Sequence, residues 1–139
     1  MDWHNGGDFP ENLPTENGGT HIGIYLAWII NNNLVGEMHL NEAADSIESV
    51  KTRRITGRDF LISVCDGKIW EDDLNEEGLR FTRHYYGDED MKDYIIDYLN
   101  VLARELESVY HVEDTWENYD KIRWVIDERY QAWKELKSF

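Results

Sequence analysis

The sequence predicts an all-α fold: a single compact domain of five or six helices behind an ordered, Gly/Pro-rich N-terminal loop. Three observations lead there. Large apolar residues recur every three or four positions near the C-terminus, at Trp116, Tyr119, Ile122, Ile126, Tyr130, Trp133 and Leu136, with charge on the opposite face. Helix-start signatures recur along the chain, as "TGRD" from Thr56, "DLNE" from Asp73 and "DTWE" from Asp114. No alternating run long enough to carry a sheet appears, which leaves short strands or one hairpin near Val35–Leu40 and Lys68–Trp70. The 139 residues fit one domain, with 1–19 as a loop lead-in and 20–139 as the helical core.

The elements follow in order. In "DWHNGGDFPENLPTENGG" the Asn-Gly-Gly triplets at 5–7 and 17–19 form turns, and Pro10 and Pro14 stiffen the stretch between them. The first helix starts with Thr20 as its cap and ends in the run Asn31–Asn33. Nearly every position from Ile22 to Ile30 is apolar, the mark of a helix buried on most sides. A second runs from a capping Asn41 to Arg53, with Ala44, Ile47 and Val50 inward. The third starts at Thr56, carries Phe60, Leu61 and Val64, and stops at Gly67. The fourth opens at Asp73–Glu76 and breaks at Gly87. The fifth spans Asp88–Val109 with an apolar stripe of Met91, Ile95, Tyr98, Leu99, Leu102 and Leu106. The last is capped by Asp114.

Charge narrows the function. Twenty-nine acidic and 14 basic side chains give a formal charge of −15. Such a field repels phosphate backbones and anionic bilayers, so neither nucleic acid nor membrane is an expected partner, and it draws in cationic proteins. Cys65 is the one cysteine, so no internal disulfide forms, which fits a reducing, cytoplasmic setting. Its surroundings, "FLISVCDG", point to a buried inert thiol. Acidic residues stand where a signal peptide carries positive charge, and the run Ile22–Ile30 is too short to cross a bilayer.

No catalytic set emerges. There is no H-E-x-x-H, no cysteine pair, no G-x-S-x-G elbow, and neither Gly pair is followed by the lysine of a phosphate loop. No catalytic residue, cofactor or metal is therefore assigned. The basic run "KTRRITGR", 51–58, reads as charge balance against nearby acids. Candidate binding residues are Trp3, His4, Asp8 and His21 around the turn-rich segment, His111, and the aromatics Trp70, Tyr86 and Trp124. Trp124 falls off the apolar stripe of the last helix among charged neighbours, as an aromatic anchor within a steering field would. The alternative is a small enzyme or a metal- or ligand-binding protein, its site formed where His4, Asp8 and His21 meet Asp114 at the start of the last helix.

Three stretches carry a resemblance: "DWHNGGDFPENLPTENGGTHIGIYLAWIINN", "TGRDFLISVCDGK" and "VYHVEDTWENYDKI". Over most of its length the chain resembles a bacterial family of small acidic proteins grouped as a domain of unknown function. Trp3, His4, Asp8, His21, Trp28, His111, Asp114 and Trp116 match its motifs. The resemblance transfers no catalytic role, and it implies association with toxin systems. With the small size, the acidity and the spare aromatics, the expected function is that of an immunity protein that occludes a cationic toxin domain.

Overall fold

The computed structural model describes residues 19–65, 71–87, 92–106 and 109–137. Helix α1, Thr20–Asn31, is buried at every position from Thr20 to Ile30, because α3, α4 and α7 pack around it. Its unbroken apolar run suits that central place. Thr20 is the first helical residue and not the cap, which falls on Gly19 without a side-chain bond. The Thr20 hydroxyl instead accepts a hydrogen bond from Arg58 at 3.1 Å. At the other end the Asn32 amide donates to the Trp28 carbonyl at 2.8 Å, and Asn33 takes a φ of 59°.

Helix α2 spans Glu37–Glu42 and α3 spans Ala44–Lys51, with the joint at Ala43. The helix expected over Asn41–Arg53 is α3, and a separate helix, α2, precedes it where the sequence leaves room for a short strand near Val35–Leu40. Asn41 lies inside α2 and caps nothing. The joint lets α2 turn His39 inward while α3 independently buries Ile47 and Val50. Helix α4, Gly57–Ser63, begins with the expected capping box: Asp59 N–H donates to the Thr56 hydroxyl at 3.2 Å and Thr56 N–H to the Asp59 carboxylate at 3.1 Å.

Helices α1 and α4 cross at glycines. A Cβ on Gly57 would lie 1.9 Å from the Gly23 carbonyl oxygen, and one on Gly23 would lie 2.4 Å from the Arg58 backbone. This close approach seats Phe60 and Leu61 fully in the core.

Asp73 does not open a helix. It ends a 3₁₀ turn, Glu71–Asp73, and Leu74 forms an isolated antiparallel bridge with Val35, the only β pairing among the described residues. Asn75 is the cap of α5, Glu76–Tyr85, its side chain accepting from Gly78 N–H at 2.8 Å. Gly87 follows with φ 78°. Helix α6, Lys92–Tyr98, passes into a π-helical turn at Leu99–Ala103 instead of running on to Val109. The wider turn rotates the frame. Tyr94, Tyr98 and Ala103 face inward, while Leu99 and Leu106 of the expected stripe are 41% and 43% exposed. Helix α7, Trp116–Lys137, follows a second 3₁₀ turn at Val109–His111. Its cap is Thr115, whose hydroxyl accepts from Asn118 N–H at 3.1 Å, and not Asp114.

Tyrosine fills much of the interior. Tyr25, Tyr85, Tyr86, Tyr94 and Tyr98 are all at most 1% exposed. Most of these phenols find partners: Tyr25 with the Thr82 hydroxyl at 2.8 Å, Tyr85 donating to Asp97 at 2.6 Å, Tyr94 donating to the His21 carbonyl at 2.5 Å. Burial pushes all five far above the ordinary phenol range, so they stay protonated at neutral pH. The Trp28 indole N–H donates to Asp127 at 2.8 Å and ties α1 to α7. The result is a single compact all-α domain. Among the described residues no helix is long and apolar enough to cross a membrane.

Candidate functional site

Helix α7 has two faces. Tyr119, Ile122, Ile126, Tyr130 and Trp133 are buried against the rest of the domain. At 3.6 residues per turn, Trp124 lies opposite this stripe, and it is 64% exposed. Glu117, Glu128, Gln131 and Glu135 fall along the same outward row, all exposed, with Lys121 at its side. The Arg123 guanidinium sits 5.5 Å from the Trp124 ring and steadies it. An indole in a row of carboxylates thus projects into solvent from the longest helix.

Many of the cations are engaged within the chain. Arg53 binds Asp120 through two bonds, of 2.6 and 2.9 Å, and stacks 4.8 Å from the Trp116 ring. Arg129 grips Asp97 through two bonds of 3.0 Å. Arg83 pairs with Glu71 at 2.9 Å and Arg80 with Glu76. In the basic run 51–58, Lys51 donates to Asn33 at 2.7 Å and Arg58 meets Asp114 at 3.2 Å, so much of the run knits helices together. Lys51, Arg53 and Arg123 also line a polar cleft of about 280 Å³ with Asn31, Tyr119 and Asp127, and there too Arg53 is held by Asp120. The excess of negative charge is left to the surface.

The expected binding residues separate. Trp3, His4, Asp8 and Trp70 lie outside the described residues. Trp124 stands on the exposed face just described. Tyr86 belongs to the core and offers no docking surface: its ring is stacked on Tyr94 with centroids 5.2 Å apart and lies 4.7 Å from Tyr25. His21 is buried at 3% exposure, its imidazole edge-on to Tyr98 and Tyr110. His111 is half-buried in the 3₁₀ turn before α7. Asp114 accepts a 2.6 Å bond from the Thr56 hydroxyl and pairs with Arg58, which joins the starts of α4 and α7. Burial holds its carboxyl above the ordinary value, against the pull of Thr56 and Arg58.

A second cluster was not legible in the sequence. His39 from α2, Cys65 just beyond α4 and Asp73 from the first 3₁₀ turn converge, all buried. His39 Nε2 and Asp73 Oδ1 are 2.6 Å apart, and Cys65 Sγ lies 3.9 Å from each. Burial, with Asp73 close by, pushes the Cys65 thiol up to about 12, so it is a neutral thiol at pH 7. The geometry does not form a nucleophile relay. In such a relay the carboxylate holds one imidazole nitrogen and the nucleophile meets the other. Here sulfur and carboxylate address the same nitrogen. Sequence spacing hides the cluster, because His39, Cys65 and Asp73 form no recognisable ligand motif. The only signal is at Cys65, which ends the apolar run "FLISVC", whereas Asp73 stands in the polar stretch "EDDLNE".

Fold and surface together define a small, acidic, all-α domain whose described residues include an aromatic-bearing outer face on α7. Residues 1–112 match the family described as a domain of unknown function (DUF7832), and the chain belongs to that family. No curated protein and no solved structure matches it. The matched span ends at Val112, before α7, so it includes His39, Cys65 and Asp73 and leaves Trp124 beyond it.

Proposed function

We propose that this protein is an acidic docking module that serves as an immunity protein, neutralising a bacterial toxin by covering a cationic surface. The observation that carries the reading is the outward face of α7: Trp124, 64% exposed, set among Glu117, Glu128 and Glu135. An aromatic anchor gives contact area at low entropic cost, and the surrounding carboxylates steer a basic partner onto it. The net charge of −15 extends that steering beyond the contact itself. Occlusion requires no catalytic group.

The test is co-expression with basic products of neighbouring genes, followed by calorimetry on any complex and an assay of the partner's toxicity. The reading expects tight one-to-one binding that rescues growth and weakens with added salt. It expects Trp124→Ala to lower affinity about 30-fold, the scale of an interface hot spot. A complex indifferent to both salt and Trp124→Ala refutes the reading, as does failure of every such product to bind.

A further inference from the structure

We propose that His39, Cys65 and Asp73 form a binding site for a thiophilic divalent metal ion, zinc above all. The three donors come from three separate segments, α2, the residues just after α4 and the 3₁₀ turn of Glu71–Asp73, and meet at one place in the interior. The triangle of Nε2, Oδ1 and Sγ has sides of 2.6, 3.9 and 3.9 Å, so its centre lies about 2.1 Å from each corner. Zinc bonds to nitrogen, oxygen and sulfur run from roughly 2.0 to 2.3 Å. A tetrahedral ion sits out of that plane and parts the imidazole from the carboxylate, a modest widening of the 2.6 Å pair.

Chemistry favours the same occupant. Without a cation the Asp73 carboxylate faces His39 Nε2 at 2.6 Å but takes the Cys65 S–H only at a long 3.9 Å, so the sulfur is weakly held. A cation among the three satisfies all of them at once. Thiolate, carboxylate and neutral imidazole around a divalent ion sum to zero charge, the condition a buried site requires. The mixed nitrogen, sulfur and oxygen set suits zinc and excludes calcium and magnesium, which demand oxygen. On binding, the Cys65 proton leaves to solvent and the sulfur donates a lone pair to the metal. No electron is transferred.

The surroundings hold the donors in place. The Phe60 ring stands edge-on to the His39 imidazole with centroids 5.4 Å apart. Gly36 N–H donates to the Asp73 carbonyl at 3.0 Å, and Val35 pairs with Leu74 next to it. A Cβ at Gly36 would lie 2.3 Å from the Asp72 carbonyl oxygen, so only glycine lets these segments approach so closely. The metal would clip together residues 34 and 26 positions apart in the chain.

Cobalt(II) titration of the full chain, read by absorbance, tests the site. The expected result is saturation at one equivalent with a thiolate-to-cobalt charge-transfer band, displaced by zinc. Cys65→Ser, which keeps size and polarity, is expected to abolish the band and weaken zinc binding by more than the roughly 10–100-fold that loss of an outer partner costs. Zinc is also expected to raise the melting temperature of the parent chain where equal calcium does not. Absence of the sulfur band in the parent overturns the site, whether or not Cys65→Ser folds. Zinc binding of unchanged strength in a folded Cys65→Ser also overturns it, since surface carboxylates then account for the uptake.

Discussion

Asp114 and Asp120 show how one residue type takes opposite roles within seven positions. Burial dominates at Asp114 and holds its carboxyl above the ordinary 3.8, so the folded state binds this proton more tightly than the unfolded chain does. Its contribution to stability is full below that value and is lost as pH rises through the raised one. Asp114→Asn removes this dependence. The stability difference between variant and parent should therefore move in the variant's favour as pH increases from about 3.8, as read by urea unfolding across a pH series. A flat difference would contradict the assignment. At Asp120 the bond from Arg53 dominates and holds the carboxyl below its ordinary value, so its contribution is present above 3.8 and lost as pH falls. That pair is more than two-fifths exposed on both sides, and solvent screening keeps its weight small. Which of the two aspartates is buried was not written in the local sequence. "DTWE" reads as a cap signature at Asp114, yet the adjacent Thr115 takes the cap and frees Asp114 to reach α4.

At the scale of elements, the crossing of α1 and α4 is the tightest joint described. Gly57→Ala pushes a methyl against the Gly23 carbonyl, and neither backbone can yield without moving a helix. The expected loss is about 3 kcal/mol or more in denaturant unfolding, the upper range for overpacking. Loss of less than about 1 kcal/mol would mean that the helices part easily. Elements whose cause is local were legible in the sequence. The apolar run of α1, the Thr56–Asp59 capping box and the repeat of α7 each act through neighbours in the chain. Elements set by distant partners were not. The joint at Ala43 carries no breaker residue, and His39 turns inward because Asp73, 34 positions later, receives it. The π-helical turn after Tyr98 likewise interrupts the expected apolar stripe, which keeps Tyr98 buried before the turn and leaves Leu99 and Leu106 exposed.

Across the whole molecule, a charge of −15 on 139 residues presses outward on a fold that keeps many of its cations in internal pairs. Self-repulsion of this kind is relieved by screening. Raising sodium chloride from about 0.01 to 0.15 M, which shortens the Debye length from roughly 30 to 8 Å, should raise the melting temperature. A fall over that range would show that the internal ion pairs outweigh the repulsion. The acidity and the exposure of Trp124 could both be anticipated from composition and from its place off the α7 stripe. The meeting of His39, Cys65 and Asp73 could not, since only the folded chain brings them together.

Trp28 and Trp124 have opposite surroundings, the first fully shielded beside Tyr25 and Phe81, the second open to water. The chain consequently carries its own optical gauge of that outer face. Light emitted by the outer indole is open to a dissolved quencher until something settles over it, and the signal that separates the parent chain from a Trp124→Phe version reports that event without any attached dye.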